Sequence, residues 1–145
     1  MYLIPPRSPY GLIQEDLWSS APESEWRILV SCILLNMTNR KQIEHVLPEF
    51  FKRWSSATTF NDADEDEVKD LISPLGFKNR RTKNLCNMTT TYLEAKWKHA
   101  RELPGIGEYG ARAWEIFCRG VIGSEAPSDH ALTYYWYWRR GLEKG

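Results

Sequence analysis

A chain of 145 residues with 19 basic and 19 acidic side chains carries no net charge; it is long enough for one domain with a real core, residues 1–145, but ill suited to gripping long stretches of nucleic acid by charge alone. Its three cysteines, Cys32, Cys86 and Cys118, stand far apart with no C-x-x-C pair, which reads as free, mostly buried thiols in a reducing compartment and offers no metal or iron–sulfur ligand set. No apolar run reaches membrane-spanning length and the N-terminal stretch has no signal h-region, so a soluble intracellular protein without a membrane partner is expected.

In chain order, Pro5, Pro6 and Pro9 make an extended lead-in, and Ser8 followed by Pro9 predicts a first helix running through Leu12, Ile13 and Leu17 to about Trp18. Trp26, Leu29, Val30, Ile33 and Leu34 recur at helical spacing and predict a second helix that ends near Asn36. A third carries Ile43, Val46, Leu47, Phe50, Phe51 and Trp54 on one face. Asp62 or Asp64 can cap a helix through Val68, Leu71 and Ile72, and Pro74 with Gly76 breaks the chain again. Lys78 to Lys83 then opens a helix through Leu85, Met88 and Tyr92, which absorbs the β-prone Thr89 to Thr91 run. Two further helices are predicted at roughly 108–119 and 128–140, and nothing alternates with period two, so the domain reads as all-α. Seven Trp and seven Tyr point to aromatic packing with some exposed stacking surface; the Tyr134 to Trp138 run reads as core and helix packing, His45 and His99 as surface or interface histidines.

The stretch from Glu102 to His130 organises the rest. Pro104 ends whatever precedes it, and Gly105 and Gly107 flanking Ile106 allow a sharp turn into a helix starting near Glu108. The first amides of that helix, with those of the glycines, form a concave set of donors suited to a phosphate. Taken alone, Leu103 to Gly107 is as readily a plain turn between helices, and Asp129 an ordinary N-cap. A carboxylate twenty residues beyond Tyr109, at the mouth of a phosphate-holding turn, nevertheless calls for a chemical reason.

These residues resemble the helix-hairpin-helix DNA glycosylase superfamily, and within it the methyl-CpG-binding thymine/uracil glycosylases. The stretches that carry the likeness are Pro5 to Tyr10, Leu12 to Glu15, Leu34 to Asn36, Pro74 to Gly76, Gly105 to Gly110, Ile116 to Cys118, and Asp129 with His130. The resemblance implies the fold of that superfamily, with the active-site cleft between helical layers, and double-stranded DNA as partner of a monomeric enzyme. It implies Asp129 as catalytic carboxylate, and Tyr109 where lyase-competent relatives carry a Schiff-base lysine. Gln14, Leu35, Asn36 and Met37 would line the base pocket. Leu75, Gly76 and Phe77 would form a wedge, and Leu103, Gly105, Ile106, Gly107, Tyr109, Gly110, Lys78, Arg80, Arg81 and His130 would face DNA. No cofactor is implied, beyond a monovalent cation held by hairpin carbonyls, and the site of action would be the nucleus of a eukaryote, or the cytoplasm of a bacterium or virus-infected host. Two departures stand out: Met37 replaces the family's gap-filling arginine, and Ala131 a lysine after the aspartate.

The expected activity is hydrolysis of the N-glycosidic bond of a flipped thymine, uracil or 5-substituted uracil, without strand cleavage. Two other readings stay open on sequence: a base-modifying group transferase of the bacteriophage thymine-hypermodification type, and a non-catalytic DNA-binding module.

Overall fold

Glu23–Leu35 forms a helix (α2) whose sides are apolar nearly all round, so it must be covered from every direction. Trp26, Leu29, Val30, Ile33 and Leu34 belong to one hydrophobic cluster, Ile28 and Cys32 to another, and the remaining helices form two layers on either side. The computed structural model describes residues 5–19, 21–36, 38–94 and 96–144, without the side chains of His130, Glu143 and Lys144; Met37 lies outside the described residues. All regular structure among them is helical, and no described helix is long and apolar enough to cross a membrane.

The first layer comprises α3 (Arg40–Arg53), α4 (Ala57–Asn61), α5 (Glu65–Ile72) and α6 (Lys78–Glu94). Its centre is aromatic: Trp26 lies 6.4, 6.0 and 5.7 Å, ring centre to ring centre, from Phe50, Phe51 and Phe60, and its indole N–H donates to Thr89 Oγ1 at 3.0 Å. The second layer holds α1 (Ile13–Leu17), α7 (Glu108–Phe117) and α8 (His130–Lys144), with Phe117, Leu132, Tyr135 and Trp136 packed against Ile28. Glu25 ties the layers together, accepting from Tyr92 Oη and Trp114 Nε1, each at 2.9 Å. The carboxylate is half-buried, and the two donors replace the water it loses.

Several sequence expectations are corrected here. The first helix begins at Ile13, not after Ser8, because Gly11 takes a left-handed φ of 59° that stops a helix from passing through it. Ser8 spends its hydroxyl on Glu15 at 2.8 Å, and Glu15, itself buried, also accepts the Leu12 amide at 2.6 Å. The short α4 went unforeseen: two β-branched threonines disfavour it, and burial of Ala57 and Phe60 overrides that preference. Helix α7 stops at Phe117, before Gly120 with its φ of 69°, and α8 starts at His130 and continues through Gly141 to Lys144.

Candidate active site and nucleic-acid interface

A cavity of about 600 Å³ opens where the C-terminus of α2 meets the N-termini of α3, α7 and α8. It is lined by Tyr10, Leu12, Ile13, Gln14, Leu35, Asn36, Thr38, Arg40, Tyr109, Asp129, Ala131 and Tyr134. The structure thus brings Gln14, Leu35, Asn36, Tyr109 and Asp129 into one space, though they come from four distant parts of the chain.

Asp129 is both a lining residue and a cap. Its Oδ2 accepts the Leu132 amide at 3.1 Å, the N-cap bond of α8, so the cap and a place in the cavity wall are compatible in one conformation. The cap holds the carboxylate in place without consuming it.

Gln14, 1% exposed, donates through Nε2 to Tyr109 Oη at 2.6 Å. Burial pushes the Tyr109 phenol far above its ordinary range, and the neighbouring Asp129 carboxylate pushes the same way. The phenol therefore stays neutral and forms a hydrogen-bonding part of the cavity wall. Cys32, behind it, is pushed by burial up to about 12 and is an inert thiol.

Asn36 caps the C-terminal end of α2 and sits at a junction. It lines the large cavity, a smaller cavity against Gly105 to Gly110, and a groove shared with Phe77, Arg80, Asn84 and Gly105. At the hairpin, Gly105 has φ 81° and the Ile106 amide closes the turn on Leu103 O at 3.2 Å. Gly107 is the N-cap of α7 and supplies no side chain, which leaves the first helical amides without a cap. Leu103 and Ile106 bury their side chains, and Gly110 is buried where a Cβ would meet Ile106 at 3.0 Å and Cys32 at 3.4 Å. What the turn presents outward is backbone.

At the other end of the groove, Gly76 (φ 82°) and Phe77 (φ 51°) form a left-handed pair. Phe77 is the one non-glycine residue with positive φ among the described residues, and its ring is 58% exposed. An L-residue held there is strained by roughly 1–2 kcal/mol. Two expectations on this face are corrected. Leu75 packs into the core, and Arg81 is 4% exposed. The Arg81 guanidinium donates to Leu75 O at 2.8 Å, Gly76 O at 3.2 Å and also to Asn36 O. It clasps the bend to the end of α2, because three backbone carbonyls gathered within reach of one planar fork outcompete solvent for it. Lys78 and Arg80 remain exposed. For His130 the structure gives the helix start and no side chain.

Residues 30–129 match the profile of the HhH-GPD superfamily of base excision DNA repair proteins. The chain belongs to that superfamily. This HhH-GPD chain is 41% identical over 137 residues to the methyl-CpG-binding domain protein 4-like protein of Arabidopsis thaliana, over 94% of its own length and 30% of the relative's. It is 36% identical over 92 residues to thymine-DNA glycosylase of Aeropyrum pernix, 58% of this chain and 41% of that one. To thymine/uracil-DNA glycosylase of Pyrobaculum aerophilum it is 30% identical over 106 residues, 68% of this chain and 46% of that one. A solved structure of a thermostable thymine-DNA glycosylase superposes with a TM-score of 0.65 over 72% of this chain and 51% of that chain; at 19% identity this is likeness of fold. The HhH-GPD chain therefore spans between 30% and 51% of the length of these proteins.

Sequence reasoning missed Tyr10, Arg40 and Tyr134. A signal for Tyr134 was available: Leu132, Tyr135, Trp136 and Arg139 form the buried face of α8, so Ala131 and Tyr134, three apart, share the other face beside Asp129. Tyr10 packs on Tyr134 with ring centres 5.5 Å apart, an aromatic rim to the cavity.

Proposed function

We propose that the chain is a monofunctional DNA glycosylase that acts as a monomer on duplex DNA and removes a flipped thymine, uracil or 5-substituted uracil. One observation carries it: Asp129 lines a cavity of about 600 Å³ that continues through Asn36 to a backbone-presenting hairpin and to the exposed Phe77. The thymine- and uracil-DNA glycosylases among its relatives support the same reading, and lend none to a transferase or a non-catalytic module.

In this reading the hairpin holds a phosphate through amides, which fixes the strand without reading it. Phe77 enters the stack as the target leaves it, offsetting the lost stacking with apolar contact. Its strained backbone is set before DNA arrives. The extruded base meets Gln14 and Asn36, whose amides suit the alternating carbonyls and N–H of a uracil ring. Bond cleavage develops positive charge on the sugar, and the Asp129 carboxylate, held by its cap, stabilises it and orients water. Tyr109 supplies no amine, so no imine forms and the strand stays intact. The chemistry needs no cofactor; a monovalent cation at the hairpin carbonyls would serve phosphate binding only.

The test is incubation with duplexes carrying a single U or T opposite G, followed by hot alkali and mass spectrometry of the strands. Base loss, with strand breaks only after alkali, is expected. Strands that remain intact with every such substrate would reject the reading.

The hairpin glycines separate folding from binding. A Cβ on Gly105 would sit 3.0 Å from Asn84 Cβ at a φ of 81°, whereas one on Gly107 meets nothing within 4 Å. Gly105→Ala is expected to lower both thermal stability, by about 1–2 kcal/mol, and duplex affinity. Gly107→Ala should alter stability by no more than about 1 kcal/mol yet weaken duplex binding severalfold, because the added methyl stands where the phosphate must approach. Equal affinities for Gly107→Ala and wild type in fluorescence anisotropy would refute the hairpin's role.

A further inference from the structure

We propose that Arg40 binds the phosphate of the extruded nucleotide, a role that rests on the glycosylase reading above and deepens it. Among the described residues lining the cavity, Asp129 is the one carboxylate and Arg40 the one cationic side chain. A nucleotide that swings into this space brings an anionic phosphate on either side of its sugar. A carboxylate placed against that sugar repels both, and in a partly dehydrated cavity the repulsion is felt strongly. The hairpin amides can answer for one phosphate. The smaller cavity against the hairpin shares Asn36 and Tyr109 with the large one but not Arg40, so Arg40 brings its charge from the α3 side, independent of the hairpin.

The guanidinium is already set for such a contact. Its Nε donates to Glu44 Oε1 at 2.6 Å and its Nη1 donates to the Gly11 carbonyl. Those two bonds hold the fork still while Nη2 makes no further hydrogen bond among the described residues, and the side chain is 46% exposed. A planar donor fixed on one side and open on the other loses little conformational freedom on meeting an anion. Gly11 and Arg40 lie 29 residues apart, and the bond also pins the lead-in that carries Tyr10 just before α1 and Gln14. A tether and a phosphate contact give opposite readouts in binding.

Affinity is measured with duplexes that carry 2′-fluorinated deoxyuridine opposite guanine, whose electron-poor sugar resists cleavage. Each duplex is made with natural phosphates and with a neutral methylphosphonate on either side of the target nucleotide. For wild type, both methylphosphonates are expected to weaken binding, one at the hairpin and the other, by about tenfold, at Arg40, and Arg40→Met should weaken binding to the natural duplex by a factor similar to the second. The slope of log affinity against log salt should fall by about one. Combined with the methylphosphonate at the Arg40 phosphate, Arg40→Met should add almost nothing, because the contact is already gone, and Arg40→Lys should restore part of the affinity for the natural duplex. A tether predicts otherwise: an unchanged salt slope, methylphosphonate penalties equal in wild type and Arg40→Met, and a loss that tracks melting temperature. That pattern overturns the proposal, as does wild-type affinity for Arg40→Met. Base release by wild type from unmodified U·G duplex is assayed in parallel. If it fails, the glycosylase reading falls; if it succeeds while Arg40→Met matches wild type throughout, only the assignment of Arg40 falls.

Discussion

Asp129→Asn is expected to lower the single-turnover rate of base release by about a thousandfold or more, the scale on which loss of a preorganised charge opposite a developing charge acts. The substitution is nearly isosteric. Asparagine caps helices as well as aspartate does, so its side-chain oxygen can still accept the Leu132 amide that Asp129 accepts at 3.1 Å. Melting temperature should consequently stay close to wild type. Binding to uncleaved duplex should hold or tighten, because a carboxylate facing phosphates has been removed from the cavity. The signature is thus specific: rate lost, fold kept, affinity kept. Base release within tenfold of wild type would show that the carboxylate acts as a helix cap and that the chemistry lies elsewhere. Asp129→Ala removes cap and charge together, and its extra loss of stability, about 1 kcal/mol, gives the cap's own contribution.

Trp26→Ala is expected to cost about 3–5 kcal/mol of stability, a large share of the roughly 5–15 kcal/mol that holds a domain folded. Trp26 is 1% exposed and sits where α2, α3, α4 and α6 converge. Its removal leaves a cavity bounded by Phe50, Phe51 and Phe60 and deprives Thr89 Oγ1 of its donor, so transfer, packing and hydrogen-bond losses add. The effect should reach the Asp129 cavity as well, because α2 ends at Leu35 with Asn36 as its C-cap, and both line it. Denaturant melts followed by tryptophan fluorescence and by circular dichroism should shift together, with the midpoint lowered and the slope kept. Trp26→Phe, which keeps a ring but not the N–H, should lose much less. A midpoint for Trp26→Ala near that of wild type would mean that the aromatic cluster is not what holds the first layer on α2.

Much of this molecule was readable without coordinates, and the reasons are local. Two glycines around Ile106 after Pro104 bend a chain wherever they occur. An aspartate before a helical run caps it. Apolar residues at helical spacing in α2 and α3 declare their buried faces. These signals lie within a few residues of one another, so the sequence alone determined the all-helical character, the course of the long helices α2, α3 and α6, the hairpin turn and the cap at Asp129. Errors at the same level were also local: Gly11 stopped a helix that Ser8 and Pro9 had promised, and packing of Phe60 forced α4 from a segment of poor propensity.

Tertiary structure alone decided what those elements face. Gln14 meets Tyr109 across 95 residues of sequence, and no periodicity announces that pair. Arg81 and Arg40 look alike in the sequence, each a cation near a helix start. Backbone carbonyls at the end of α2 and around Gly76 draw Arg81 inward, whereas Gly11 and Glu44 hold Arg40 at the open cavity. Whether a charged side chain turns in or out depends on which carbonyls the folded helices leave unpaired nearby, and that is settled only when distant segments pack together.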